Sequence, residues 1–229
     1  MKYLQLYPSH DDYIDTGYLS RVDYCEMDKH LHYNLKKYTC EVEYIASTRS
    51  ASQYINTGYY PDSSITSIYL DISFHDTFST TNGEIFYGGD SAANKMYSAN
   101  FGAGTGQETT MYAWFGKQYK NGGTVKNIKS FALTRGILSY TASSQNFSFN
   151  GKSVTTQLEV GRRANTLKIL NNFQSYIARL YGVVIKENNE IIMNLIPVKV
   201  NDVGGLYDTI TKQVFTSSGT DDFACGPNK

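Results

Sequence analysis

Apolar and polar residues alternate along much of the chain, which is the pattern of β-strands with one buried and one exposed face. The alternation is clearest in residues 64–74. No segment shows the sustained 3.6-residue period of a long helix. The pattern therefore predicts an antiparallel two-sheet β-sandwich from about residue 41 to the C-terminus. The two faces of the clearest strand are expected to carry Ile68, Leu70, Ile72 and Phe74 on one side, and Ile65, Ser67, Tyr69, Asp71 and Ser73 on the other.

Two β-hairpins are predicted where turn-forming residues separate alternating runs. Residues 176–186 and 191–200 flank a tip that contains Asn188 and Asn189. Residues 136–142 and 146–154 contain Asn150-Gly151, the dipeptide that most readily forms a type I′ turn, because both central residues need positive φ. Further strands are expected at residues 84–87, 95–101, 109–115, 128–133, 158–163 and 166–170, with the last two paired to each other.

Composition and charge restrict the classes of function. The 21 Lys and Arg residues balance the 21 Asp and Glu residues, so no charge excess draws the chain to nucleic acid or to an acidic membrane surface. The N-terminal residues contain no uninterrupted apolar run, so we expect neither a signal peptide nor a membrane span. The three cysteines, at 25, 40 and 225, have no CxxC spacing and are expected to be reduced thiols.

The first 39 residues differ from the rest of the chain. They consist of short alternating pieces and charge clusters without a sustained period. We therefore divide the chain into an N-terminal arm or anchor, residues 1–39, and one β-domain, residues 40–229. His30 and His32 alternate to one side of the arm near Cys25, but a fourth ligand is missing and a solvated histidine pair is expected instead of a zinc site.

Two motifs carry a family resemblance. Residues 43–59 read EYIASTRSASQYINTGY, and residues 205–223 contain GLYD, VF and SGTDDF in that order. These motifs resemble the opening and closing sequences of concanavalin A-like, LamG-type jelly-roll modules in virion structural proteins of gut bacteriophages, the crAss-like phages that infect Bacteroidales. The resemblance covers roughly residues 41–226 and implies an all-β, concanavalin A-like jelly-roll β-sandwich behind the short N-terminal arm.

The resemblance also implies a function. It suggests a non-enzymatic virion structural protein, as a head fibre, capsid decoration or tail-fibre component that is assembled in the host bacterial cytoplasm. The expected partners are capsid or fibre proteins of the same virion, further copies of the chain in a homo-oligomer, with a trimer favoured, and a host-surface or mucosal glycan. The alternative is a carbohydrate-binding, lectin-like module of a gut bacterium. Neither nucleic acid nor a membrane is expected as a partner.

Aromatic residues are the candidates for these contacts. Trp114 could stack on a sugar or lie in the core, and both interpretations remain open at this point. The arm has apolar and aromatic residues that lack a core of their own and could anchor the chain to the virion. The predicted glycan-binding residues are Tyr97, Tyr112, Trp114 and Tyr119; the predicted anchoring residues are Tyr3, Leu6, Tyr13, Ile14, Tyr18 and Tyr24.

No catalytic or metal site is predicted. Glucanases of the concanavalin A-like superfamily carry paired carboxylates on one strand as ExDxxE, and this chain contains no such motif. Asp71 and Glu84 are expected on separate strands. Calcium requires 6 to 8 oxygen ligands, and no loop has a dense acidic run, so no cofactor is predicted. The acidic residues in turns, whose carboxylates are expected to be solvated, are Asp90, Asp202, Asp221 and Asp222.

Overall fold

Strands dominate the part of the chain that the structure describes. The computed structural model describes residues 39–48, 50, 52–75, 83–89, 96–103, 109–116, 122–125, 134–155, 165–171 and 177–229. The strands are Thr39–Glu41 (β1), Ile45–Ala46 (β2), Ile55–Asn56 (β3), Thr66–His75 (β4), Gly83–Tyr87 (β5), Met96–Ala103 (β6), Thr109–Gly116 (β7), Gly122–Val125 (β8), Gly136–Thr141 (β9), Asn146–Phe149 (β10), Lys152–Thr155 (β11), Lys168–Asn171 (β12), Ile177–Glu187 (β13), Glu190–Val200 (β14), Val203–Asp208 (β15), Val214–Thr216 (β16) and Ala224–Cys225 (β17). Within these ranges, no helix has the length and apolar character of a membrane span.

The strands form two antiparallel sheets that pack as a sandwich, as the alternation predicts. The large sheet has the order β11-β10-β9-β4-β13-β14-β15-β16, with β1 paired to β14, β2 paired to β13, and β17 paired to β2. The small sheet has the order β3-β12-β5-β6-β7-β8. The neighbours β3, β12 and β5 are distant in sequence, so the chain crosses between the sheets several times.

Aromatic side chains join the two sheets. Phe86, Tyr97 and Phe115 of the small sheet and Tyr140 of the large sheet lie in one core, where Phe86 contacts Tyr97 and Phe115. The rings of Phe115 and Tyr140 stack with centroids 3.5 Å apart, and Tyr97 meets Tyr140 edge-on at 5.7 Å. The buried hydroxyl of Tyr140 donates a hydrogen bond to the carbonyl of Ser63 at 2.8 Å. The core thus gains apolar burial while the phenol remains satisfied.

The predicted hairpins and the predicted apolar face of β4 are confirmed, but Ser67 and Ser73 of the opposite face are buried. Asn188 and Asn189 join β13 to β14 with φ of 49° and 70°, and Asn150 and Gly151 join β10 to β11 with φ of 45° and 79°. On β4 the predicted apolar face is buried in the core. Asp71 lies on its opposite face and retains 29% exposure of its side chain.

Other strand predictions need correction. Residues 166–170 were expected to pair with residues 158–163, but both edges of β12 are occupied by β3 and β5. The predicted pairing is therefore wrong for β12. Residues 128–133 and 158–163 lie outside the described residues. The sequence analysis missed β8, because its opening Gly122 and Gly123 carry no apolar alternation.

The described chain ends lie side by side in the large sheet. β13 pairs with β14 from Val183 to Glu187, while its earlier residues Arg179 and Leu180 pair with β2. The C-terminal end of β14 pairs with β1. Residues 41–46 also run beside residues 224–229, with Glu43 N–H donating to Pro227 at 2.8 Å and Gly226 N–H donating to Tyr44 at 2.8 Å. Thr39 is therefore part of the sheet, one residue before the predicted domain boundary.

The opening and closing sequence motifs contact each other directly. Gln53 is 1% exposed; its Oε1 accepts a hydrogen bond from Thr48 N–H at 2.9 Å, and its Nε2 donates to the carbonyl of Asp222. Ser218 N–H donates to the carbonyl of Tyr54 at 2.8 Å. A Cβ atom at Gly219 would overlap the backbone carbonyl of Ser52. The two motifs thus form one packed corner of the sandwich.

The aspartate of the GLYD motif organises the turn between β15 and β16. Asp208 is fully buried and accepts hydrogen bonds from the N–H groups of Asn194 and Ile210 at 2.9 and 3.1 Å. Thr211 donates to the same carboxylate through its hydroxyl at 2.6 Å and its N–H at 3.3 Å. Burial opposes ionisation, but these donors outweigh it and lower the pKa of Asp208. This aspartate therefore has a structural role.

Candidate functional site

The predicted glycan-binding aromatics do not form one exposed set. Tyr97 is fully buried, contacts Phe86 and Phe115, and donates a hydrogen bond from its hydroxyl to the carbonyl of Thr66 at 3.1 Å. A sugar cannot reach this ring, so the prediction for Tyr97 is corrected to a core role. Tyr112 and Trp114 lie on β7, and at these two positions the structure describes the backbone.

The remaining predicted contact residues lie outside the described part of the chain. This applies to Tyr119 and to the whole anchoring set, which falls in the predicted arm. Their roles stay predictions. The anchoring set is Tyr3, Leu6, Tyr13, Ile14, Tyr18 and Tyr24.

A different group of side chains comes together on the outer face of the large sheet. We call it the Tyr–Arg cluster: Tyr44, Asp71, Arg135, Arg179 and Tyr181. The guanidinium of Arg179 lies 4.7 Å from the ring centroid of Tyr44, and the Tyr44 ring meets Tyr181 edge-on at 5.5 Å. Arg135 lies 3.9 Å above the ring of Tyr181. Two contacting aromatic rings therefore lie between two cations, and each cation is attracted to the ring that it covers.

One ion pair stabilises this cluster at its end. Nε and Nη2 of Arg135 donate to the two carboxylate oxygens of Asp71 at 2.8 and 2.7 Å. The hydrogen bonds with Asp71 raise the pKa of Arg135, while burial opposes the increase. The pair remains accessible, with side-chain exposures of 53% for Arg135 and 29% for Asp71. Its bidentate geometry holds the guanidinium plane over Tyr181.

A serine–histidine contact lies beneath the cluster. Ser73 Oγ lies 2.7 Å from His75 Nε2 and 3.3 Å from the hydroxyl of Tyr181. Burial and then the charge of Arg179 lower the pKa of His75, which favours its neutral ring. Ser73 is only 1% exposed. A substrate therefore has little access to its hydroxyl, and the contact is suited to holding Tyr181 in position.

Sequence reasoning missed most of the Tyr–Arg cluster because its members come from four separate segments. The outward position of Asp71 could be predicted from the alternation in β4. Tyr44 and Arg179 meet only because β2 pairs with β13 in the register that places Ala46 opposite Arg179. Arg135 precedes β9, which pairs with β4. Strand register, which is decided by tertiary pairing, creates the site.

A second polar group lies on the small sheet. Asn171 Nδ2 donates a hydrogen bond to Glu84 Oε2, and Lys168 Nζ lies 4.6 Å from the ring centroid of Tyr54. Burial raises the pKa of Glu84, although Asn171 and the charge of Lys168 oppose the increase. Asp71 lies on the large sheet and Glu84 on the small one. The two carboxylates thus lie on separate strands, as expected, and these strands belong to different sheets.

Replacing Glu84 with glutamine is expected to raise stability at neutral pH. The raised pKa means that the folded state disfavours the ionised carboxylate, so wild-type stability falls as pH rises from about 4.5 through the folded pKa. The variant lacks this penalty. Urea unfolding at pH 4 and at pH 8 should show a larger gain for the variant at pH 8. An equal gain at both pH values would contradict the prediction, and Glu190→Gln, at an exposed hairpin position, is the control.

Metal and thiol chemistry has little support within the described ranges. No group of three or more His, Cys, Asp or Glu side chains there could hold a metal ion. The carboxylate of Asp221 accepts a hydrogen bond from Ser50 Oγ, and Asp202 lies in the turn after β14. Cys40 and Cys225 are free thiols. Four further potential metal ligands, Cys25, His30, His32 and Asp90, lie outside the described residues.

Comparison with known proteins adds no further constraint on this site. No protein-family model matches the chain, and no curated protein matches it either.

Proposed function

We propose that this chain is a non-enzymatic structural protein of a bacteriophage virion, with a jelly-roll domain at residues 40–229 and an anchoring arm at residues 1–39. Its place would be in a head fibre, a capsid decoration or a tail fibre. Its partners would be capsid or fibre proteins of the same particle and further copies of itself, with a trimer favoured because closed symmetry suits repeated virion parts.

The contact between the two sequence motifs is the observation that carries this proposal. The resemblance rests on an opening and a closing motif about 150 residues apart, and Gln53 and Gly219 join them in one packed corner. Paired motifs that contact each other behave as parts of one structural signature, which favours a family relationship over chance similarity. The crossovers that place β12 between β3 and β5 further support the jelly-roll assignment.

Removal of the arm should separate folding from assembly. We expect a chain that lacks residues 1–36 to keep its thermal unfolding midpoint, because the deletion preserves β1 and its pairing with β14. The same chain should fail to enter assembled particles, as measured by labelling of purified virions. Normal incorporation of the shortened chain would contradict the anchoring role.

Light scattering of the full chain should give the mass of a trimer.

A carbohydrate-binding module is the second candidate, and the Tyr–Arg cluster favours it. Sugars bind proteins through aromatic rings that cover their apolar faces and through planar polar groups that bond their hydroxyls. Tyr44 and Tyr181 supply half-buried rings, each with an arginine over it, and Asp71, Arg135 and Arg179 supply planar polar groups on the same outer face. This function is compatible with a virion protein, since a particle component can also bind a glycan.

A further inference from the structure

We propose that the Tyr–Arg cluster binds a carboxylate-bearing sugar, such as a uronic acid within a glycan, with Arg179 as the residue that recognises the carboxylate. The inference rests on the carbohydrate-binding candidate and names its ligand class and its binding residue. It places the site on the outer face of the large sheet, away from the predicted glycan-binding aromatic residues on β6 and β7.

The two arginines of the cluster differ in what they have left to bind. Arg135 already directs Nε and Nη2 to the carboxylate of Asp71. Among the described residues Arg179 has no ion-pair partner, and its guanidinium carbon lies over the ring of Tyr44, 4.7 Å from the ring centroid. A contact with an aromatic ring does not use the hydrogen-bonding capacity of the guanidinium, whose N–H groups can still donate to a ligand. A carboxylate matches two such parallel donors in bidentate geometry.

The surroundings of Arg179 suit a sugar better than an acidic peptide. Tyrosine hydroxyls can donate and accept hydrogen bonds, and Asp71 can accept them, so together they match hydroxyl groups that need both. Asp71 and the exposed Glu43, whose charge reaches Arg135, would also repel a peptide that carries several carboxylates. A single carboxylate on a polyhydroxylated ring satisfies Arg179 without placing more negative charge against them.

The cluster is held in place before any ligand binds. The Asp71–Arg135 pair fixes the side of Tyr181 that lies under Arg135, and Ser73 contacts the Tyr181 hydroxyl from below. Gly226 packs so close to the ring of Tyr44 that a Cβ there would lie 3.0 Å from three ring atoms. Rings that are immobilised in this way lose little side-chain entropy on binding, which favours affinity.

Isothermal titration calorimetry of the full chain at low salt tests the inference. The probes are the methyl glycosides of galacturonate and glucuronate, which carry one carboxylate each, their carboxyl-reduced neutral forms, and hexaglutamate. We expect at least one of the two uronates to bind. Arg179→Gln should weaken that binding by about tenfold or more, the effect of losing a hydrogen-bonded charge. Arg179→Lys keeps the charge without the planar fork, so its affinity should lie between those of the wild type and Arg179→Gln.

Lys186→Gln is the matched control. Lys186 also lies over a tyrosine, with Nζ 5.3 Å from the Tyr69 centroid, but it stands outside the cluster on the same β13 strand. Its replacement should change the affinity for the uronates less than twofold, because distant sites act independently. Unchanged unfolding midpoints in all three variants will show that the domain is folded.

Each contrary outcome has a distinct meaning. Equal binding of the neutral forms would overturn the carboxylate assignment and leave the carbohydrate-binding candidate standing. If neither the uronates nor their neutral forms bind, the carboxylate assignment and the carbohydrate-binding candidate are both overturned. Hexaglutamate that binds as tightly as the uronates, with the same loss in Arg179→Gln, would assign the site to acidic peptides. Equal losses in Arg179→Gln and Lys186→Gln would remove Arg179 from the site.

Discussion

Replacing Asp208 with alanine is expected to destabilise the domain by roughly 3 to 5 kcal/mol, because it leaves several buried donors without an acceptor. The carboxylate is fully buried and receives hydrogen bonds from the N–H groups of Asn194, Ile210 and Thr211. Urea unfolding at pH 7 measures the loss. Asp222→Ala, at an exposed position in the closing motif, should cost less than about 0.5 kcal/mol. Similar losses in the two variants would contradict the role assigned to Asp208.

The contribution of Asp208 should also depend on pH. Its folded-state pKa is lowered, so the ionised carboxylate stabilises the fold above the ordinary pKa of 3.8, and this contribution is lost as pH falls through the folded value. The stability difference between wild type and Asp208→Asn should therefore be constant at neutral pH and decrease in acid below pH 3.8. A difference that increases in that acidic range would show that the sign of the shift is wrong.

Replacing Gly219 with alanine is the second substitution with a large expected effect. The added Cβ would overlap the backbone carbonyl of Ser52, and a backbone atom cannot move aside as a flexible side chain can. The closing motif would be displaced from the opening motif, with the hydrogen bonds around Gln53 weakened. We expect a loss of about 2 to 3 kcal/mol in urea unfolding, in the range for overpacked sites.

Gly182→Ala is the matched control for this change. Gly182 lies within β13, and a Cβ there would meet only the carbonyl of Leu195, at an ordinary contact distance of 3.5 Å. Its stability should stay within about 1 kcal/mol of wild type, since alanine fits a strand at least as well as glycine. If Gly219→Ala were as stable as Gly182→Ala, the two motifs would not be packed as described.

Local chemistry made several elements of the fold predictable. The tips at Asn188-Asn189 and Asn150-Gly151 adopt positive φ, which these residue types tolerate, and so the hairpins could be assigned from sequence. Alternation in β4 gave the apolar core face correctly, because successive side chains of a strand point to opposite sides, whereas Ser67 and Ser73 of the polar face are buried. These features depend on a few neighbouring residues and need no knowledge of distant segments.

The location of aromatic residues could not be decided in the same way. Tyr97 was predicted to bind a glycan and is instead packed between Phe86, Phe115 and Tyr140. A tyrosine on a strand looks the same in sequence whether its face is covered by a second sheet or by water, since its ring suits either place and its hydroxyl needs only one partner. Only the stacking of the two sheets distinguishes these environments.

By itself the sequence determined the all-β class, two hairpin turns and the polar face of β4, since these follow from turn preferences and the two-residue period of a strand. Tertiary structure alone decided the pairing of β12 with β3 and β5, the contact of the two motifs, and the Tyr–Arg cluster. Arg179 is 135 positions from Tyr44 along the chain. Their contact depends on the register between β2 and β13, and a register between distant strands is chosen by the packing of the whole sandwich rather than by either strand.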